Sequence, residues 1–350
     1  MTLKKRIARL TYPYRRKREP AAGQKDAREM HRRAAETHGL LQPIFDNTPK
    51  IKPNDRILLT MGRDESSRIS YFLKYYRNLG IDHFLFVDNA SVSPMADQLS
   101  DQSDVSLWYT DDSYVRSKYG VDWMNALLGR YAVGHWALTV DLDEFFVFPL
   151  MEIRSFTEFL EYMDDSNDPS LYSPLIDMYP NGPIASATVP EGESPLSYAD
   201  HFDSTGYFPV VGGYEDTWLR GGPRCRVFAD GVIDDSPTIN KTPLIKWQKS
   251  YAYLASTHSA TPFRLNHIHK NHFLGPTGAL LHFKFISSFK EKAEFAVVNK
   301  NHYQGSSEYK KYLRRLDENE KINLMCPMSV RYESTKTLID RKLMSLGLWE

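Results

Sequence analysis

The stretch "RILLTMGRDESSRISYFLKYYRNLGIDHFLFVDNAS", residues 56–91, decides the fold class. Its opening, "RILLTM", is a short apolar run rich in strand-forming residues and reads as a buried strand. In its middle Ile69, Phe72, Leu73, Tyr76 and Leu79 recur at three- and four-residue intervals, the spacing of one helix face. Ser66 or Ser67 is placed to cap that helix and Gly80 to close it. "DHFLFVD" then returns as a second strand ending at Asp88 and Asn89. The pattern continues outward: "VSLWYT" (105–110) reads as a third strand, 122–134 as a helix, and "WALTVDLDEFFVF" (136–148) as a fourth strand. Such alternation predicts an α/β fold with a mainly parallel central sheet and helices on its faces.

Ligands of such sheets bind beyond the carboxyl ends of the strands. That rule selects "GRDES" (62–66), "VDNAS" (87–91) and "DLDE" (141–144), three polar clusters expected to face one crevice. Asp141, Asp143 and Glu144 sit in an otherwise apolar and aromatic run, where an uncompensated carboxylate costs several kcal/mol or surrenders its charge. Two residues apart on a regular strand, Asp141 and Asp143 would share a side and address one cation. An oxygen-rich site suits Mg²⁺ or Mn²⁺, whose remaining ligands are water and substrate phosphates, which makes a nucleotide diphosphate the natural partner.

The bulk numbers fit a chain with a substantial core: 350 residues, 41% hydrophobic and 13% aromatic. Formal net charge is zero, yet residues 1–40 hold twelve Lys/Arg against four Asp/Glu, so a net +8 there is balanced by −8 in the rest. The basic arm lacks the apolar centre of a signal peptide, and no run of about 18 apolar residues occurs, so a cytoplasmic protein is expected. Residues 1–20, with Ile7, Leu10, Tyr12 and Tyr14 among the basic side chains, suit peripheral contact with an anionic membrane, against the simpler reading of a solvated terminus. The basic residues do not continue into a nucleic-acid-binding motif. Cys225 and Cys326, far apart, form neither a disulfide framework nor a zinc pattern. "NHIHKNH" (266–272) offers His267, His269 and His272, but no carboxylate within the segment to complete a zinc site.

Taken in order, "LLTMGRDESSRISYFLKYYRNLGIDHFLFVDNAS", "WALTVDLDEFFVFP", "GGPRCRVF" (221–228), "NKTPLIKW" (240–247), "STHSATP" (256–262), "LLHFKF" (280–285) and "HYQGSSEYKKYL" (302–313) resemble the family 2-like glycosyltransferases, in particular a bacterial branch whose strand reads DxDEF. The resemblance implies a GT-A, Rossmann-like nucleotide-diphospho-sugar transferase sandwich over residues 51–310. Its donor-binding half would be 51–150 and its acceptor-side half 151–310, between a partly disordered or helical arm (1–50) and a C-terminal helical extension (311–350). It also implies a metal-dependent, inverting transfer of sugar from a nucleotide-diphosphate donor to a glycan or other hydroxyl acceptor, as in surface polysaccharide assembly.

Residue by residue, Glu65 matches the first-loop contact to the donor nucleotide, with Arg63 assisting. Asp88 matches the second-strand Asp that approaches base or ribose, with Asn89 as companion. Asp141 and Asp143 match the DxD carboxylates on Mn²⁺ or Mg²⁺, and His282 the further metal ligand, with His258 competing. Glu144 either supports the site or pairs with an Arg. Arg224 and Arg226, alternating after Gly-Gly, would project together toward phosphate, or else form ion pairs; Lys284 has the same two readings. Inversion requires a base for the acceptor hydroxyl. Asp216, or its neighbour Glu215, is the candidate, beside Trp218, a platform of the kind that packs on sugar rings. The competing classes are a metal-dependent phosphoesterase and a non-catalytic glycan-binding protein that retains the fold.

Overall fold

The computed structural model describes residues 21–211, 217–266, 275–299, 303–319 and 321–349. Glu215, Asp216, His267, His269, His272 and the first twenty residues, with the proposed membrane contact, lie outside these.

A nine-stranded mixed sheet organises the chain, in the order β1-β4-β3-β2-β5-β11-β7-β14-β6. Its strands are β1 (Gln42–Phe45), β2 (Ile57–Gly62), β3 (His83–Asp88), β4 (Val105–Tyr109), β5 (Trp136–Thr139), β6 (Glu144–Val147), β7 (Ser170–Asp177), β11 (Asn240–Lys246) and β14 (Ala279–His282). Three two-stranded units complete the set: β8 (His201–Asp203) with β15 (Ser329–Arg331), β9 (Tyr207–Val211) with β10 (Thr217–Gly221), and β12 (Ala252–Tyr253) with β13 (Ala260–Thr261). Strands β2, β3, β4 and β5 are mutually parallel; β11 runs against β5 and β7, and β14 runs with β7. Six of the nine strands therefore point one way, and β1, β11 and β6 oppose them.

The period-2 alternation of strand side chains builds two cores. Leu58, Phe84 and Phe86 enter a cluster with Phe72, Phe145 and Phe159, while Ile57, Leu59, Leu85 and Val87 enter another with Trp123, Trp247 and Tyr253. The helix Ser66–Leu79 lays Ile69, Phe72, Leu73 and Tyr76 on the first, and Gly80, at φ 107°, closes it by donating its N–H to Tyr76 and Arg77. Neither Ser66 nor Ser67 caps its start; Glu65 occupies that position without a side-chain cap bond.

This helix also anchors the strand that follows the acidic turn. The Tyr76 hydroxyl donates to the Glu144 carbonyl at 2.7 Å and accepts from the Phe146 N–H at 3.0 Å, and the Tyr75 hydroxyl donates to the Phe146 carbonyl. At the end of β2, a Cβ on Gly62 would stand 2.8 Å from Leu142, so glycine there lets the acidic turn close on the strand.

One sheet runs through both expected halves, since β7, β11 and β14 continue it directly from β5. The described parts of both terminal segments contain helix and pack on the rest of the fold. The helix Ala21–Thr37 packs on Val121–Tyr131, with Arg33 on Asp122 at 3.0 Å, and β1 pairs with β4, so residues 21–50 belong to the fold. Residues 311–350 contain a strand, and Trp349 is buried against Phe159 while donating to the Pro149 carbonyl. Large apolar side chains at 330, 338 and 349 have a core to enter, which a free-standing extension would lack.

Candidate active site

The parallel strands end on one edge of the sheet, at Gly62, Asp88, Tyr109, Thr139, Asp177 and His282. On that edge His282 lies in register with Asp177 on one side and Glu144 on the other. The "DLDE" segment arrives there as a turn: β5 stops at Thr139, Glu144 donates its N–H to the Asp141 carbonyl at 3.0 Å, and β6 begins. Asp141 and Asp143 therefore do not share a strand face as expected. A turn sends them to different partners.

Asp141 turns to Lys241 on β11. The Lys241 ammonium, 4% exposed, lies 3.1 Å from the Asp141 carboxylate and also bonds Glu144, which is 1% exposed. Two carboxylates thus share one buried cation. Burial opposes ionisation of Asp141, but Lys241 prevails and holds its pKa below the ordinary value. For Glu144, burial and then the Asp141 charge outweigh Lys241 and push the pKa up to about 7. Of the two readings of Glu144, ion pairing is what the structure shows, with Lys241 rather than an Arg as partner.

Asp143 turns to His282. The His282 Nε2 is 3.6 Å from the Asp143 carboxylate, its Nδ1 is 2.7 Å from Asp177, and Asp177 accepts from Arg224 at 2.8 Å. Burial works against these charges, yet His282, then Arg68 and Lys292, bring Asp143 well below the usual carboxylate range, and Arg224 and His282 hold Asp177 at about 2. Burial would lower His282, but Asp143 and Asp177 raise it. An imidazole fixed at Nδ1 by a carboxylate, with Nε2 facing a second carboxylate, is the arrangement that orients a metal-ligating histidine. Among the described residues no group of three His, Cys, Asp or Glu side chains is gathered as a complete cage.

The other expected site residues divide. Glu65 and Arg63 lie on the first loop, but the Glu65 carboxylate is held by Arg68 at 2.8 Å and by Lys292, and Arg63 stacks over Phe295. Asp88 is buried, and its two oxygens accept from the N–H groups of Ser91 and Met95 at 2.9 and 3.0 Å. Asn89 likewise donates to the Thr110 and Asp112 carbonyls. Arg224 and Arg226 do not project together, because residues 224–228 form a helical turn in which neighbours two apart diverge. Arg224 goes to Asp177, while Arg226 forks onto Asp203 at 3.0 Å and the Leu324 carbonyl at 2.7 Å, away from the acidic turn. Arg224 keeps one buried nitrogen, Nη2, without a hydrogen bond. Lys284 reaches the Tyr309 hydroxyl at 3.2 Å and lies 4.5 Å over that ring.

Lys241, Asp177, Arg68 and Lys292 are the site residues that sequence reasoning missed. For Asp177 the signal was present, a lone charge in the apolar strand "LYSPLID", the criterion that singled out "DLDE"; "NKTPLIKW" carries two lysines, and only the fold shows that Lys241 is the buried one and Lys246 the more exposed one.

His258 is a hydrogen-bonded neutral imidazole, its Nδ1 donating to the Asn240 carbonyl at 2.6 Å. Burial, then the Lys241 charge, depress its pKa from 6.5 to about 4. A depressed pKa contributes stability above pH 6.5 that is withdrawn as pH falls through 4, on the order of 3 kcal/mol. In His258→Gln, the slope of unfolding free energy against pH between those values is expected to flatten in urea titrations; an unchanged slope would refute a buried neutral His258.

No family model matches this chain, and no curated protein matches it. Among solved structures it is similar to HddC from Yersinia pseudotuberculosis, at 11% identity and a TM-score of 0.24, over 38% of this chain and 61% of that one. The chain thus spans less than two thirds of that protein, and a likeness of this size carries no argument about either fold or activity.

Proposed function

We propose that this edge of the sheet is the donor site of a metal-dependent glycosyltransferase of the GT-A type, moving sugar from a nucleotide diphosphate to a glycan or other hydroxyl acceptor. The observation that carries the reading is the pair Asp143 and His282, 3.6 Å apart, with His282 oriented from behind by Asp177 and Arg224. Carboxylate and imidazole together suit Mn²⁺, and Asp143 with His282 would hold it. The chemistry such a cation would supply, when bound, is neutralisation of charge on a departing diphosphate.

The protein's own groups complete the electrostatics. Arg68 and Lys292, which share the single carboxylate of Glu65, also lower the pKa of Asp143, and these two cations would be the partners for phosphate oxygens. Asp141 is half exposed, and Lys241 beside it favours its ionised form. An ionised carboxylate there accepts hydrogen bonds from sugar or ribose hydroxyls. The residue that would take the acceptor proton is not among the groups just described.

Thermal unfolding with a panel of nucleotide diphosphates, with Mn²⁺ or chelator, tests the proposal. One nucleotide should raise the midpoint only with metal, by the equivalent of about 2.7 kcal/mol at a hundredfold excess over Kd. Asp143→Asn should abolish the shift. A shift that survives chelator and Asp143→Asn alike, or no shift with any nucleotide, would remove the reading.

A further inference from the structure

Away from Asp143 lies an open cleft of about 280 Å³, lined by Asp26, Glu29, Lys118, Trp218, Ala255 and Ser259 among others. Its walls are the helix Ala21–Thr37, the segment after β4, the strand β10 and the β12–β13 turn. We infer that this cleft seats the acceptor and that the acceptor is a carbohydrate, an inference that rests on the transferase reading and names the second substrate's place.

Chemistry selects the ligand. A half-buried indole offers an apolar face to the C–H side of a pyranose ring, and carboxylate, ammonium and hydroxyl groups around it satisfy sugar hydroxyls. Glu29 is already engaged by Arg32 at 2.7 Å, whereas the Asp26 carboxylate has no hydrogen-bond or ion-pair partner among the described residues. Mixed charge signs speak against a polyanion, and the polar rim speaks against a lipid tail.

Connectivity assigns the role. Two of the walls run directly into the neighbours of Lys241, the partner of Asp141, and a third packs on Tyr114. Behind Trp218, Leu219 donates its N–H to the Asn240 side chain, the residue before Lys241. Behind Ser259, His258 bonds the Asn240 carbonyl, and the Thr257 carbonyl accepts from Thr242, so the turn clasps Lys241 from both neighbours. Behind Lys118, Tyr119 meets Tyr114 at 5.8 Å between rings, and burial followed by the Asp141 charge raises the Tyr114 hydroxyl's pKa. Lys118 and Tyr119 are both left-handed, at φ 52° and 60°, and Ser256 at 48°, so two of the walls are held in costly backbone conformations. The donor-side groups Glu65, Arg68 and Lys292 line none of it.

The test uses the full chain on an array of immobilised neutral and acidic oligosaccharides, beside the nucleotide-dependent melting shift. Binding to at least one oligosaccharide is expected, falling about tenfold or more in Trp218→Ala and in Asp26→Asn, the equivalent of about 1.4 kcal/mol, with the nucleotide shift kept in both. Asp26→Asn changes one partly exposed atom and guards against a folding defect in the tryptophan variant. Binding that neither variant changes, or no binding while the nucleotide shift is intact, would overturn the assignment. Trp218-dependent binding without any nucleotide shift would keep the cleft as a glycan site and remove the transferase reading instead.

Discussion

Lys241→Met is expected to lower the unfolding free energy by about 3–5 kcal/mol, because it leaves buried Glu144 without the cation that compensates it. Methionine has nearly the volume of lysine, so lost packing contributes little. The loss should grow with pH. Glu144 has a native pKa of about 7, above the ordinary 4.5, and without Lys241 it rises further. A raised pKa gives stability that is complete below 4.5 and withdrawn as pH climbs through the native value. The variant should therefore approach wild type in acid and diverge from it above neutrality, as read by urea midpoints from pH 5 to 8. Adding Glu144→Gln should recover most of the loss, since the buried charge is then gone with its partner. A loss that ignores pH and is not recovered by Glu144→Gln would mean that Lys241 acts through packing alone.

The same three carboxylates show where sequence reading works and where it stops. Periodicity is local, so the strand, helix and strand of residues 57–88 were legible, as was the carboxyl edge that the topology turns into a site. Strand pairing is not local. Nothing in "NKTPLIKW" says that it inserts between β5 and β7, so Lys241 could not be matched to Asp141 one hundred residues earlier. The acidic turn was misread because apolar strands on both sides hide a turn that has neither Gly nor Pro. Asp88 is ambiguous in sequence for another reason: a carboxylate accepting backbone N–H groups in a tight loop and one accepting a ribose hydroxyl require the same residue at the same strand end. Arg224 and Arg226 alternate in sequence as on a strand, and only the helical turn after Pro223 separates them.

Asp177 carries the second large effect, because it serves two buried cations at once. Its carboxylate holds Arg224 on one oxygen and the His282 Nδ1 on the other. Asp177→Asn should cost about 3–5 kcal/mol, chiefly from Arg224 left buried with only the more distant Glu308 carboxylate, 3.9 Å from its Nη1, as counter-charge. It should also weaken metal-dependent nucleotide binding by about 10–100-fold, since His282 loses the carboxylate that fixes its orientation. The two consequences separate in Asp177→Asn/Arg224→Met. Removing the stranded guanidinium should return much of the stability while leaving the affinity low. The acid limb supplies a readout of its own. Asp177 sits at about 2 against an ordinary 3.8, so it contributes stability above pH 3.8 that is lost as pH falls toward 2, about 2 kcal/mol in all. That part of the limb should flatten in both variants. If affinity returned together with stability in the double variant, Asp177 would be a scaffold for Arg224 only, and the orientation of His282 would have to come from its place in β14, in register between Asp177 and Glu144.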